Sequence, residues 1–165
     1  MPDGASKWPV RYDDYRVLRD SPALEGVDVV FHLAGATHAS NLVEYQAANV
    51  LPTRHLLRAL DEMRSATRFI YVSSQAAGGP ARTPTEPTPE TAASPMEDYG
   101  RSKLEAERVV AGYADRLSTT IVRPCAVFGP WDRAFLPMFR LAQHGLMFYP
   151  GTASHWFSVL HVRDV

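Results

Sequence analysis

Tyr99 and Lys103 stand four residues apart in Tyr99-Gly100-Arg101-Ser102-Lys103, and a pair of serines, Ser73-Ser74, closes an apolar run upstream. On a helix, residues four apart share a face and lie close enough to act as a unit. Lys103 interrupts an otherwise apolar stripe of Tyr99, Ala106, Val110 and Tyr113, which predicts a face packed inward against a sheet. A cation kept on that side near a phenol favours the phenolate and lowers the tyrosine pKa. That is what a general acid/base working near neutral pH needs.

The other reactive residue types form no comparable pattern. The six histidines show no metal-ligand spacing, so no metal site is expected. His32 and His161 fall on predicted strands and read as satisfied core residues, whereas His38 falls in a loop. Cys125 is the only cysteine. It reads as a small core residue, forbids an internal disulfide and points to a reducing compartment.

Stepping out from Tyr99, the chain reads as alternating strands and helices. Val27-Asp28-Val29-Val30-Phe31-His32-Leu33 is a β-branched apolar run closed by Ala34-Gly35-Ala36, as expected of a buried parallel strand ending in a small-residue turn. Residues 41–63 carry Ala47, Val50, Leu57 and Leu60 at helical spacing, with a kink predicted at Pro52. Before them, residues 20–26 suggest a short helix or turn around Pro22, and residues 10–12 the tail of a strand. Arg68-Phe69-Ile70-Tyr71-Val72 is the next strand. Residues 78–95, with Gly78, Gly79 and five prolines, predict a loop. Ser94, Pro95 and Glu97 predict a capping box opening a helix that runs to about Arg116. A third strand is predicted at 119–123, a turn at Phe128-Gly129-Pro130, a helix at 134–144 and a last strand at 157–162. This alternation is the signature of an α/β fold, a parallel sheet covered on both faces.

At 165 residues, 45% apolar and 21% charged, the chain has the composition of one globular domain. A formal net charge of −1 without a basic stripe argues against nucleic acid or an anionic membrane as partner. Residues 1–20 mix charges with no apolar run, and no stretch reaches membrane-spanning length. A cytoplasmic location is the expectation.

Six segments, in order, resemble the extended short-chain dehydrogenases/reductases of the NAD-dependent epimerase/dehydratase family. Asp28 to Gly35 resembles that family's fourth strand and cofactor-facing turn. Asn49-Val50-Leu51-Pro52-Thr53 resembles its Asn-Val-x-Gly-Thr segment, and Tyr71-Val72-Ser73-Ser74 the strand bearing the catalytic serine or threonine. Tyr99 to Lys103 matches its Tyr-x-x-x-Lys. Arg123-Pro124 through Val127-Phe128-Gly129-Pro130 resembles its Arg-Pro-x-x-Val-Tyr-Gly-Pro, and His161-Val162-Arg163-Asp164-Val165 its His-Val-x-Asp-Val.

The resemblance implies a partial, doubly wound Rossmann-like sheet over residues 1–165, and a small-molecule substrate oxidised or reduced with NAD or NADP. Tyr99 would exchange a proton with the substrate oxygen, Lys103 would hold the nicotinamide ribose, and Ser74 would hydrogen-bond the reacting oxygen. Ala34, Gly35 and Ala36 would let the backbone approach the cofactor, with Asn49, Val72 and Ser73 behind them. Asn49 either bonds backbone there or caps the kink. Pro124 and Val127 would line the nicotinamide side. His38, Gln75, Cys125 and Ala126, with Ser74, would face the substrate, a nucleotide sugar or another small hydroxy or keto compound; Cys125 and Ala126 are small and lean towards the latter.

The sequence also departs from the family. No Gly-x-x-Gly-x-x-Gly turn, which would seat a pyrophosphate on a helix N-terminus, occurs in it. Pro52 stands where the family has glycine, Gly78 near a usual aromatic, and Ala126 where sugar-nucleotide enzymes often carry asparagine. An internal fragment is expected, lacking the glycine-rich half and most of the substrate domain, and prone to aggregate or to pair as a homodimer through its open sheet. The competing reading is a non-catalytic nucleotide-binding or regulatory module on the same fold.

Overall fold

A computed structural model describes residues 12, 14–64, 66–80, 92–146 and 158–165. Among these, a parallel sheet runs in the order β1 (Val29–His32), β2 (Arg68–Val72), β3 (Ser118–Val122). The register sets Val30 beside Phe69 and Thr119, and His32 beside Tyr71 and Ile121. Strand side chains alternate between faces, so these residues share one side. That side carries the core, with Phe69 and Tyr71 packed against Leu56, Leu57, Leu60, Ala106, Val110 and Leu117.

The helices that cover it have local causes. α1 (Tyr15–Arg19) is capped by Asp14, which accepts from the Arg16 amide. α2 (Leu42–Asn49) is capped by Asn41, whose Oδ1 accepts from the Glu44 amide, while Glu44 reaches back to the Ser40 amide. α3 (Leu51–Glu62) buries Thr53, Leu56, Leu57, Ala59 and Leu60 on one face. The helix expected over 41–63 is thus two, broken at Val50. Pro52 falls at the start of α3, where its missing N–H costs nothing.

α4 (Asp98–Ala111) starts later than the capping signal predicts. Glu97 is its N-cap and makes no side-chain cap bond, while the Ser94 amide is spent on the Gly78 carbonyl. After Ala111 the chain continues in tight turns, with the Leu117 amide on the Tyr113 carbonyl, rather than in helix to Arg116. Ala106 and Val110 are fully buried and Tyr113 packs on the core, as the stripe predicts.

Two further strands, β4 (Ala126–Phe128) and β5 (Val159–His161), pair in parallel as a separate ribbon. The sequence shows β5 and the turn after Phe128 but not β4, which is three residues long and stopped by Pro124 on one side and Gly129 on the other. Between them lies α5 (Leu136–Gln143), with Gly145 at φ 75° just past its end. A 3-10 turn at Pro22–Leu24 meets the expectation there. Of the predicted proline-rich loop, residues 81–91 lie outside the described residues, as do 10 and 11 of the predicted early strand.

Among the described residues Val29, Phe31 (64% exposed), Leu33 (66%) and Val122 stand open on or beside the other face of the sheet, in keeping with the open sheet expected of a partial fold. His161 is half-buried rather than core: it lies edge-on to Phe128, and its Nδ1 accepts from the Arg163 amide. Cys125 is likewise half-buried. No helix among the described residues is long and apolar enough to cross a membrane.

Candidate active site

The carboxyl ends of β1, β2 and β3 and the first turns of α4 converge. In an open parallel sheet this is where ligands bind. α4 is brought hard against the turn after β2 because residue 100 is glycine: a Cβ there would run into the Ala76 carbonyl. Tyr99, beside it, is half-buried, with its ring 5.9 Å from that of Tyr45 on α2.

One turn on, Lys103 is 4% exposed. Its Nζ donates to the Val72 carbonyl at 2.8 Å and sits 4.6 Å from the centre of the Tyr71 ring. Burial lowers its pKa to about 8, against the opposing pull of the Glu107 carboxylate. The predicted inward lysine is therefore seated at the end of the strand that carries Ser73-Ser74.

The two serines diverge. Ser73 is buried, its hydroxyl donating to Glu107 Oε1 at 2.5 Å and its amide to the Val122 carbonyl. Ser74 is half-buried and caps the 3-10 turn Gln75–Ala77 by accepting from the Ala76 amide at 3.2 Å. Of the pair, Ser74 is the one that is not buried.

Asn49 ties the turn after β1 to α4. Its Oδ1 accepts from the Ala36 amide at 2.7 Å, and its Nδ2 donates to the Ala36 carbonyl at 3.2 Å and to Ser102 Oγ at 2.9 Å. Ser102 Oγ in turn donates to the Tyr99 carbonyl at 2.7 Å. This settles which of its two predicted roles Asn49 plays, since it bonds backbone. It also explains Gly35, where a Cβ would stand 2.5 Å from Asn49 Oδ1.

Behind this layer, the Thr53 hydroxyl donates to the Asn49 carbonyl and lies 2.9 Å from His32 Nε2, so His32 carries its proton on Nε2. Burial, with the Lys103 charge second, lowers the His32 pKa to about 4 and keeps it neutral. His32 is thus a satisfied core histidine. The Tyr71 hydroxyl is also buried here, and burial holds it protonated well above the usual phenol range.

The remaining predicted residues are more open. His38 is exposed, 3.0 Å from Thr37 Oγ1. Gln75 is exposed, but its amide donates to the Pro124 carbonyl at 2.9 Å, which draws Pro124, Cys125, Ala126 and Val127 beside Ser74. No cluster of three metal-ligating side chains occurs among the described residues. Gly100, Ser102, Thr53 and Glu107 were not singled out by sequence. Glu107 carried the one readable signal, an acid four residues beyond a buried lysine.

The chain matches the NAD dependent epimerase/dehydratase family over residues 10–165. It belongs to that family. The human sterol-4-alpha-carboxylate 3-dehydrogenase, decarboxylating, is 32% identical over 153 residues, 87% of this chain and 40% of that protein. Among solved structures, MoeE5 in complex with UDP-glucuronic acid and NAD is 28% identical at a TM-score of 0.72, over 92% of this chain and 54% of that one. RMD from Pseudomonas aeruginosa, complexed with NADPH, is 26% identical at a TM-score of 0.68, over 84% and 50%. The chain thus spans about half the length of the relatives it matches.

Residues fitting a nicotinamide cofactor are present in part. The small turn Ala34-Gly35-Ala36 lies open at the end of β1, and a buried cation stands at the end of β2. The glycine-rich turn for the pyrophosphate is not among these 165 residues.

Proposed function

We propose that this chain is the catalytic middle of an NAD(P)-dependent oxidoreductase or epimerase/dehydratase acting at a carbinol or carbonyl carbon. The observation that carries the reading is the seating of Lys103. Its ammonium is fixed on the Val72 carbonyl, one helical turn from Tyr99 and next to the Ser74 turn. Ala34, Gly35 and Ala36 would receive the cofactor, with Asn49 holding their backbone in place, and Val72, Ser73, Pro124 and Val127 would flank it. Bound there, the nicotinamide supplies a hydride acceptor or donor. Tyr99 Oη takes the proton from the substrate hydroxyl as oxidation begins and returns it on reduction. Lys103 holds the ribose and stabilises the phenolate, while the Ser74 hydroxyl donates to the reacting oxygen.

His38, Gln75, Cys125 and Ala126 would border the substrate. The small side chains at 125 and 126 favour a hydroxy or keto compound other than a nucleotide sugar, in keeping with the sterol-acting relative. The alternative, a non-catalytic module, draws on a Ser74 hydroxyl that already caps a turn. Titrating NADH and NADPH against this chain and against a version extended along its gene separates them. Binding, with turnover abolished but binding kept in Tyr99→Phe, supports catalysis. Failure of both versions to bind makes Tyr99 and Lys103 a structural pair.

A further inference from the structure

Glu107 is 2% exposed, on the same face of α4 as Lys103 and one turn beyond it. Its Oε1 accepts from Ser73 Oγ at 2.5 Å and Arg123 Nε at 2.8 Å, and its Oε2 from an Arg123 guanidinium nitrogen at 2.6 Å. A bidentate guanidinium–carboxylate pair of this kind has a fixed geometry. The three residues come from the end of β2, the middle of α4 and the residue after β3. With the Lys103–Val72 bond one residue back along β2, the helix is fastened to successive residues, 72 and 73, of the segment leading into Ser74.

We infer that Glu107 is a positioning residue for this site: clamped between Ser73 and Arg123, its carboxylate seats α4 on the carboxyl end of β2 and keeps the Lys103 ammonium charged there. The inference deepens the reading of Lys103 as the cofactor-holding cation and rests on it. It follows from what faces the ammonium. β1 presents His32, β2 presents Tyr71, and α3 presents Thr53, which does not titrate. His32 and Tyr71 are neutral at pH 7. Among the described residues, the carboxylate that acts on Lys103 is that of Glu107, and Arg123 pairs with it from behind. The lysine therefore balances burial against one carboxylate. A buried ammonium can lose its proton readily when such a partner is withdrawn.

The test exploits composition. The chain has two lysines, Lys7 and Lys103, so 13C-lysine labelling yields two side-chain signals to follow against pH. The Lys103 midpoint is expected near 8. Glu107→Gln lowers it by about one pH unit, a tenfold change in the ratio of charged to neutral lysine. Glu107→Asp restores most of it. Arg123→Gln, which leaves Glu107 charged without its guanidinium, moves the midpoint up by a similar amount. A purely structural role predicts no such opposite pair. A folded Glu107→Gln chain with the unaltered midpoint overturns the inference. Should that variant not fold, an Arg123→Gln midpoint that rises supports it, and one that stays or falls overturns it. An unmoved midpoint sinks this inference alone. Normal turnover in Tyr99→Phe sinks the catalytic reading and the positioning role with it.

Discussion

Replacing Asn49 by alanine should cost this fold about 2–3 kcal/mol, and the loss should be centred on the turn after β1. Asn49 is 1% exposed and makes three side-chain hydrogen bonds, two to the Ala36 backbone and one to Ser102. Each buried bond contributes about 1 kcal/mol net. Ala36 is half-buried, so water can take over part of its bonding, which brings three bonds down towards about 2 kcal/mol. The small cavity left by the amide adds back a fraction. Urea unfolding measures the total, and amide exchange at Ala36 measures its location, with protection falling there before it falls at Phe69. Asn49→Asp gives the sharper contrast. It keeps an acceptor for the Ala36 amide but turns a carboxylate oxygen towards the Ala36 carbonyl. Its carboxyl pKa must rise, so the variant should recover stability as pH falls and the acid becomes a donor. A loss below about 0.5 kcal/mol in Asn49→Ala, the size of an ordinary surface change, would refute this account of the turn.

Gly100→Ala forces a methyl into the Ala76 carbonyl; overpacking of this kind costs about 1–3 kcal/mol, and unfolding at the wild-type midpoint would show that the two backbones part freely. His32 is held neutral with its pKa lowered to about 4, so the unfolded chain binds the extra proton, and stability falls with pH between about 6.5 and 4. Between pH 7 and 5 this amounts to roughly 2 kcal/mol. His32→Gln should flatten that slope, and an unchanged slope assigns it elsewhere. Lys103→Met removes a buried ammonium whose pKa is lowered to about 8 and should raise stability at pH 7 by about 1–2 kcal/mol while abolishing cofactor binding. A destabilised variant would show that the Val72 bond outweighs burial. Phe31→Thr with Leu33→Thr should reduce light scattering of the chain at a stability change within about 0.5 kcal/mol, since both side chains stand on open surface; undiminished scattering would place the association surface elsewhere.

The parts legible in the sequence are those where a single short stretch fixes its own structure. Val29–His32 and Arg68–Val72 declare themselves by unbroken β-branched and aromatic runs, and the inward stripe of α4 by its spacing. Boundaries were less legible because they depend on distant partners. Ser94 has the type and position of a helix cap, but its amide bonds the distant Gly78 carbonyl and α4 begins at Asp98. β4 exists only because β5, more than thirty residues on, lies beside it. In the site, Tyr99 and Lys103 could be read from spacing. The division of labour between Ser73 and Ser74 could not, for it is made by Glu107 and Arg123, residues that local pattern does not join to them.

The tether between the Gln75 amide and the Pro124 carbonyl has a consequence for how such a site can change its preference. Together with the Ser73–Val122 bond, it extends the pairing of β2 and β3 beyond both strands, through backbone atoms rather than side chains. Cys125, Ala126 and Val127 hang from that tether, so their side chains can be exchanged while the peptide path beside Ser74 stays where it is. On the proposed function, selectivity and proton transfer would thereby be separable traits. A laboratory selection for a new substrate should accumulate changes at 125–127 long before it disturbs Pro124 or the serine turn.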